Sequence, residues 1–197
     1  MNIKINFKKQ VFNKSNENLI LFVDENFNIS SLKKNISNSD YSYISDLLKT
    51  RDSKKKIITF DINSKKKIIL VSIKKNISNS EAENLGAEFY DQFKDLKETQ
   101  YNLNSNTILN TSKNITGYFL HGLKLKSYKF DKYKTKKNRK NLNIFVIGKN
   151  KPPLEDQIKF KALEEGTFYT RDLVSEPGNI LHPDEYAKRI KNLSKFG

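Results

Sequence analysis

Cysteine and tryptophan are absent from this 197-residue chain, and histidine occurs only at His121 and His182. Without cysteine there are no disulfides, no thiolate metal site and no cysteine nucleophile. The two histidines lie far apart, and neither has ligand-like spacing to a second strong ligand. No zinc or manganese site is therefore expected, and both are read as structural or surface residues. Glycine is scarce at 7 residues. The segment from Gly148 to Lys151 lacks the glycine run and the following Ser/Thr of a phosphate loop. No Gly-x-Ser-x-Gly elbow is present. Glu164 and Glu165 are adjacent, so on a helix they diverge and do not form an acid/base pair. Long hydrophobic runs are also missing. No stretch approaches a membrane-spanning length, and the first seven residues alternate like a strand where a signal peptide would carry an apolar run. The expected compartment is the cytoplasm.

What is present is enough for one substantial core: 36% hydrophobic residues, with 30% charged. Lysine and arginine outnumber aspartate and glutamate 37 to 22, a formal charge of +15. Such a balance favours acidic partners in general. The densest basic stretch is Lys124–Lys140, where Tyr128, Phe130 and Tyr133 are interleaved with lysines. Lys129, Lys132, Lys134, Lys136, Lys137, Arg139 and Lys140 are its candidate phosphate contacts, and the aromatics could stack on bases. The competing reading is a solvated helix end with its aromatics turned to the core.

Periodicity gives the elements. Ile3, Ile5 and Phe7 alternate as a strand, and Leu19–Val23 is dense enough for a buried one. Residues 26–40 form a polar connection. Tyr43, Ile44, Leu47 and Leu48 fall at helical spacing. Segments 56–61 and 67–73 are strands around a turn containing Asn63 and Ser64, short enough for a two-residue hairpin, with the lysines as solvated strand ends. A helix follows, capped by Ser80, with Glu81 and Glu83 in its first turn and Ala82, Leu85, Ala87 or Phe89, Phe93 and Leu96 as its stripe. Tyr101, Leu103, Ile108 and Leu109 are short strand positions in an otherwise polar stretch. Ile115, Tyr118, Phe119, Gly122 and Leu123 mark a helix, and Leu142–Ile147 the last strand. A helix after Pro153 carries Leu154, Ile158, Ala162, Glu165 or Gly166, Tyr169 and Leu173 on one face. Pro183 opens a final helix, whose stripe is Tyr186, Ala187, Ile190 and Leu193. The alternation predicts an α/β fold with a small mixed sheet flanked by helices. The expected organisation is an N-terminal α/β domain at 1–150, a connector helix at 151–175, and the start of a further domain at 176–197.

Two ordered motifs stand out. One comprises Gly122, Leu125, Tyr128, Phe130, Tyr133, Lys134 and Thr135; the other comprises Arg171, Asp172, Leu173, Glu176, Pro177, Asn179 and Pro183. Together they resemble the end of the N-terminal domain and the interdomain connector of the leucyl (cytosol) aminopeptidases, peptidase family M17. Ser175 stands where the family usually has Asn, and His182 where it has Thr. Leu19–Glu25 and Leu85–Ala87 fit the family's first domain more weakly.

The resemblance implies a macro-domain-like N-terminal fold. In full-length relatives it also implies cytoplasmic homohexamers that release N-terminal residues, preferentially leucine, using two divalent metal ions, manganese or zinc. Those metals and the catalytic lysine and arginine belong to a C-terminal domain whose motifs have no counterpart here. No catalytic or metal residue is carried over, and the signature residues are expected to be structural. The chain is expected to be inactive by itself. Three readings stay open: a non-catalytic piece of such an enzyme, a separate subunit pairing with a catalytic fragment or joining the family's oligomer, and a nucleic-acid-binding module using Lys124–Lys140.

Overall fold

The computed structural model describes residues 2–8, 18–50, 55–94, 100–108, 114–135 and 141–196. Strands β1 (Asn2–Phe7), β2 (Leu19–Val23), β3 (Ile57–Asp61), β4 (Lys67–Ser72), β5 (Gln100–Asn104) and β6 (Asn141–Ile147) form one sheet in the order β1-β6-β5-β2-β4-β3. Every pair is parallel except β3 with β4, so the sheet is mixed. All five residues of β2 are buried, as expected for a central strand covered on both faces.

Helices α1 (Asn38–Leu48), α2 (Asn79–Phe93) and α3 (Ile115–Lys126) cover the sheet. One core cluster joins Ile20, Phe22, Ile69 and Val71 to Phe89 and Phe119 of α2 and α3. On the other face Leu19, Leu21, Ile68 and Leu70 meet Phe27, Leu32 and Ile44. The connection at 26–40 is therefore not merely polar. It contains a 3-10 turn, Ser30–Lys34, and buries Phe27, Ile29, Leu32 and Ile36. In α1, Ile44 is buried while Tyr43 and Leu47 face outward.

Helices α2 and α3 approach through glycine. A Cβ on Gly122 would lie 1.9 Å from the Glu83 carbonyl oxygen, and one on Gly86 would lie 1.9 Å from that of Phe119. No other residue fits this contact without separating the helices. The cap of α2 is Ser78, not Ser80. Ser78 and Glu81 bond reciprocally in a capping box; Ser80 has Glu83 at the same spacing but already lies within the helix, which starts at Asn79. Phe89, not Ala87, continues the buried stripe. Leu96 and Leu109 lie outside the described residues.

The β3–β4 turn is longer than a two-residue hairpin. Ile62 and Asn63 both donate to the Lys66 carbonyl, and the Asn63 side chain accepts from the amides of Lys65 and Lys66. Lys66 is not a solvated strand end. Its ammonium sits 2.7 Å from Asp40, and both side chains are over nine-tenths buried.

Helix α4 (Leu154–Ser175) packs on α3, and α5 (Pro183–Lys191) follows. The expected apolar face of α4 is mostly turned away: Leu154 is 70% exposed and Ile158 62%. The side chains that meet α3 include Phe160, against Tyr118 and His121, and Glu164, on Lys124 at 3.0 Å. This mixed face repeats at helical spacing, so counting apolar residues alone picks the wrong side of α4.

Candidate functional site

The two sequence motifs meet in space. Tyr128 donates to Asp172 at 2.7 Å, and its ring packs on Phe168 with centroids 5.3 Å apart. Burial, reinforced by the Asp172 bond, pushes the Tyr128 phenol above its usual pKa. Arg171 donates to the Leu125 carbonyl at 2.6 Å, and its guanidinium lies 5.5 Å from the Tyr128 ring. These contacts fasten the C-terminal half of α4 to the chain leaving α3.

Glu176, the residue that ends α4, is the hub. Its side chain is 1% exposed and receives Lys132 at 2.5 Å, Arg189 at 3.1 Å and the Tyr133 hydroxyl. Lys132 first, then Tyr133 and Arg189, hold its carboxyl down at about 2. Arg189 also pairs with Glu185 at 3.0 Å, and its carbonyl accepts from Tyr169. Three segments thus converge on one carboxylate: the 128–135 loop, the end of α4, and α5.

Among the other signature residues, Phe130 packs edge-on to Tyr133 at 5.8 Å. Lys134 is exposed, and its amide closes a turn to Asp131. Pro177 and Asn179 are exposed, with the Pro177 carbonyl accepting from Ile180 and Leu181. Pro183 is the first residue of α5, and His182 is its N-cap without a side-chain cap bond. The hub's third member, Arg189, carried no signal in the sequence beyond an amphipathic helix.

The basic stretch is partly committed within the chain. Lys124 pairs with Glu164, Lys126 with Asp91, and Lys132 with Glu176. Tyr128 and Tyr133 hold carboxylates, as described above. Lys129 is exposed, while Lys136, Lys137, Arg139 and Lys140 lie outside the described residues.

Two other possible ligand positions are filled by the chain itself. Connections leave β2 and β5 in opposite directions, which makes the gap beyond their carboxyl ends a switch point where α/β folds bind ligands. Here the turn at Ser105–Thr107 plugs it: the Phe22 amide donates to the Thr107 hydroxyl at 2.8 Å, and that hydroxyl donates to the Asn104 carbonyl at 2.7 Å. The turn at Gly148 is equally internal. Gly148 has φ 105°, and the Lys149 amide donates to Asn106 at 2.7 Å.

No protein-family model matches the chain. Its sequence is 41% identical over 97 residues to a probable cytosol aminopeptidase of Ehrlichia ruminantium, covering 46% of this chain and 19% of the relative. Probable cytosol aminopeptidases of Methylorubrum populi and Caulobacter vibrioides match at 38% over 87 residues and 40% over 84. They are covered over 17% and 16% of their length, against 40% and 39% of this chain. The sequence relationship is to the M17 aminopeptidases. It corresponds to their N-terminal, non-catalytic portion, and the match spans less than a fifth of these relatives.

The fold agrees. A tomato leucine aminopeptidase variant superposes with TM-score 0.71 at 17% identity, over 98% of this chain and 42% of that one. The bottromycin maturation enzyme BotP in complex with Mn gives 0.64 at 13% identity, over 92% and 37%. A Thermus aquaticus DarG macrodomain gives 0.50 at 10%, over 75% and 99%. The small mixed sheet flanked by helices is thus the macro-like architecture of M17 N-terminal domains.

The divalent metal of the M17 resemblance does not fit the residues present. Among the described residues no group of three or more His, Cys, Asp or Glu side chains could hold a metal ion. His121 is engaged by Glu83 at 2.6 Å through Nδ1, with Phe160 beside its ring, and no further ligand joins it.

Proposed function

We propose that this chain acts as a non-catalytic, cytoplasmic module that docks on the catalytic portion of an M17-type aminopeptidase. In this reading residues 1–150 are a folded body, 151–175 a connector helix, and 176–197 the first contact with the catalytic portion. The family's activity, metal-dependent release of N-terminal residues, belongs to that portion. The same chemistry serves whether the two parts lie on one polypeptide or on two.

The observation that carries the reading is the hub on Glu176. It fixes the direction in which the chain leaves α4 and holds α5 beside it. The held segment exposes Val174, Ile180, Tyr186, Ile190 and Leu193, with Val174 82% accessible. A rigid support under an apolar surface of this kind is suited to burial against another protein surface.

Hydrolysis of a leucyl chromogenic substrate by the purified chain tests the non-catalytic half of the proposal. With added manganese, the expected rate equals that of a metal-free control. Turnover clearly above the control contradicts it.

A further inference from the structure

We propose that β1 is a self-pairing edge through which two copies of this chain join their sheets. The proposal rests on the outer edge of β1 and is independent of the docking surface on α5.

β1 ends the sheet and is paired only with β6 among the described strands. Lys8 donates its amide to Val146 at 3.0 Å. In a parallel ladder alternate residues face the partner strand, so Lys4, Asn6 and Lys8 bond to β6. The amides and carbonyls of Ile3, Ile5 and Phe7 then point off the outer edge. Beside that edge lies a groove of about 650 Å³, whose apolar lining includes Ile3, Ile5 and Phe7 below and Leu154 and Ile158 of α4 above. A strand edge that no other described strand pairs, beside an apolar wall, selects an extended strand as its occupant.

The strand that fits is β1 itself. An antiparallel pair related by a two-fold axis through Ile5 sets Ile5 opposite Ile5 of the second copy and Ile3 opposite Phe7. All of these residues carry outward backbone groups, so the pair forms about six ladder bonds. On the opposite face Lys4 then stands across from Asn6. Registers centred one residue to either side are penalised: one sets Lys4 against Lys4, the other sets Lys4 against Lys8. The charge pattern therefore selects the register that the backbone favours. In that register the exposed Leu154 and Ile158 of each copy lie over the strand junction, where they lose water-exposed apolar surface. The formal charge of +15 opposes association at low ionic strength, so the dimer tightens as salt rises.

Sedimentation velocity over a concentration series, at moderate salt, tests the proposal on the full chain. Position 6 is exposed, so Asn6→Glu and Asn6→Lys leave the monomer fold intact, which circular dichroism checks. Asn6→Glu gives Lys4 an opposite charge across the axis and tightens the dimer by about tenfold. Asn6→Lys weakens it by a similar factor, and Ile158→Glu weakens it as well. A chain that stays monomeric at every concentration overturns the proposal. So does a dimer indifferent to both changes at position 6, or a monomer whose edge instead takes up an unrelated extended peptide.

Discussion

The Glu176 carboxylate meets the Arg189 guanidinium at 3.1 Å, tying the end of α4 to the last turn of α5. Because Lys132 and Tyr133 bond to the same carboxylate, this pair also reaches back to the loop after α3. Replacing it with the near-isosteric amide, Glu176→Gln, removes the charge and keeps the shape. Amide hydrogen exchange should rise across residues 183–191, while β2 and β4 keep their protection. Unchanged exchange in α5 would show that the hub does not hold it.

The same group fixes a pH dependence. The Glu176 carboxyl is held at about 2, below its ordinary 4.5. A carboxylate with a depressed folded-state pKa stabilises the fold in its ionised form, so its contribution is full above about pH 4.5. It is lost progressively as the pH falls towards about 2. The stability difference between the wild type and Glu176→Gln, measured by urea denaturation, should be constant near neutral pH and shrink through that window. A difference that stays level down to pH 2 counts against the hub.

Gly122→Ala tests the close approach of α2 and α3. Its Cβ would meet the Glu83 backbone at 1.9 Å, and a carbonyl cannot rotate aside as a side chain does. The helices must separate, at a cost of about 3 kcal/mol, the upper end of ordinary overpacking. A thermal denaturation midpoint equal to that of the wild type would refute the contact.

Lys66 and Asp40 form the most deeply buried ion pair described, at 2.7 Å. Removing one partner strands the other charge in the core. Lys66→Met alone should cost about 3–5 kcal/mol, whereas the double replacement with Asp40→Leu recovers most of that loss. Chemical denaturation of the single and double variants measures the coupling. Additive losses would mean that the pair is not coupled.

The element order was legible in the sequence because strands and helices carry different apolar periods, as at Ile3–Phe7 and Ile115–Leu123. The errors arose where polar residues do structural work. Lys66 reads as a surface lysine until Asp40 is placed beside it. Tyr101 and Leu103 read as strand positions, but nothing local shows that Asn102 and Asn104 between and beside them are buried too, or that Asn104 shapes the turn that plugs the β2–β5 gap. On α4 the contacts to α3 and to the loop after it run through Phe160, Glu164 and Phe168, so most of the apolar stripe pointed to the other face. The signature residues were visible as a motif. Their convergence on Glu176, and the part of Arg189, depend on how α5 folds back, which no local spacing encodes.

The proposed docking is tested most directly by isothermal titration calorimetry of this chain against the separately produced C-terminal catalytic portion of the Ehrlichia ruminantium relative. A saturable complex should form, and Val174→Asp combined with Ile190→Asp should abolish it while the chain stays folded. No association, or association that survives both substitutions, would contradict the proposal.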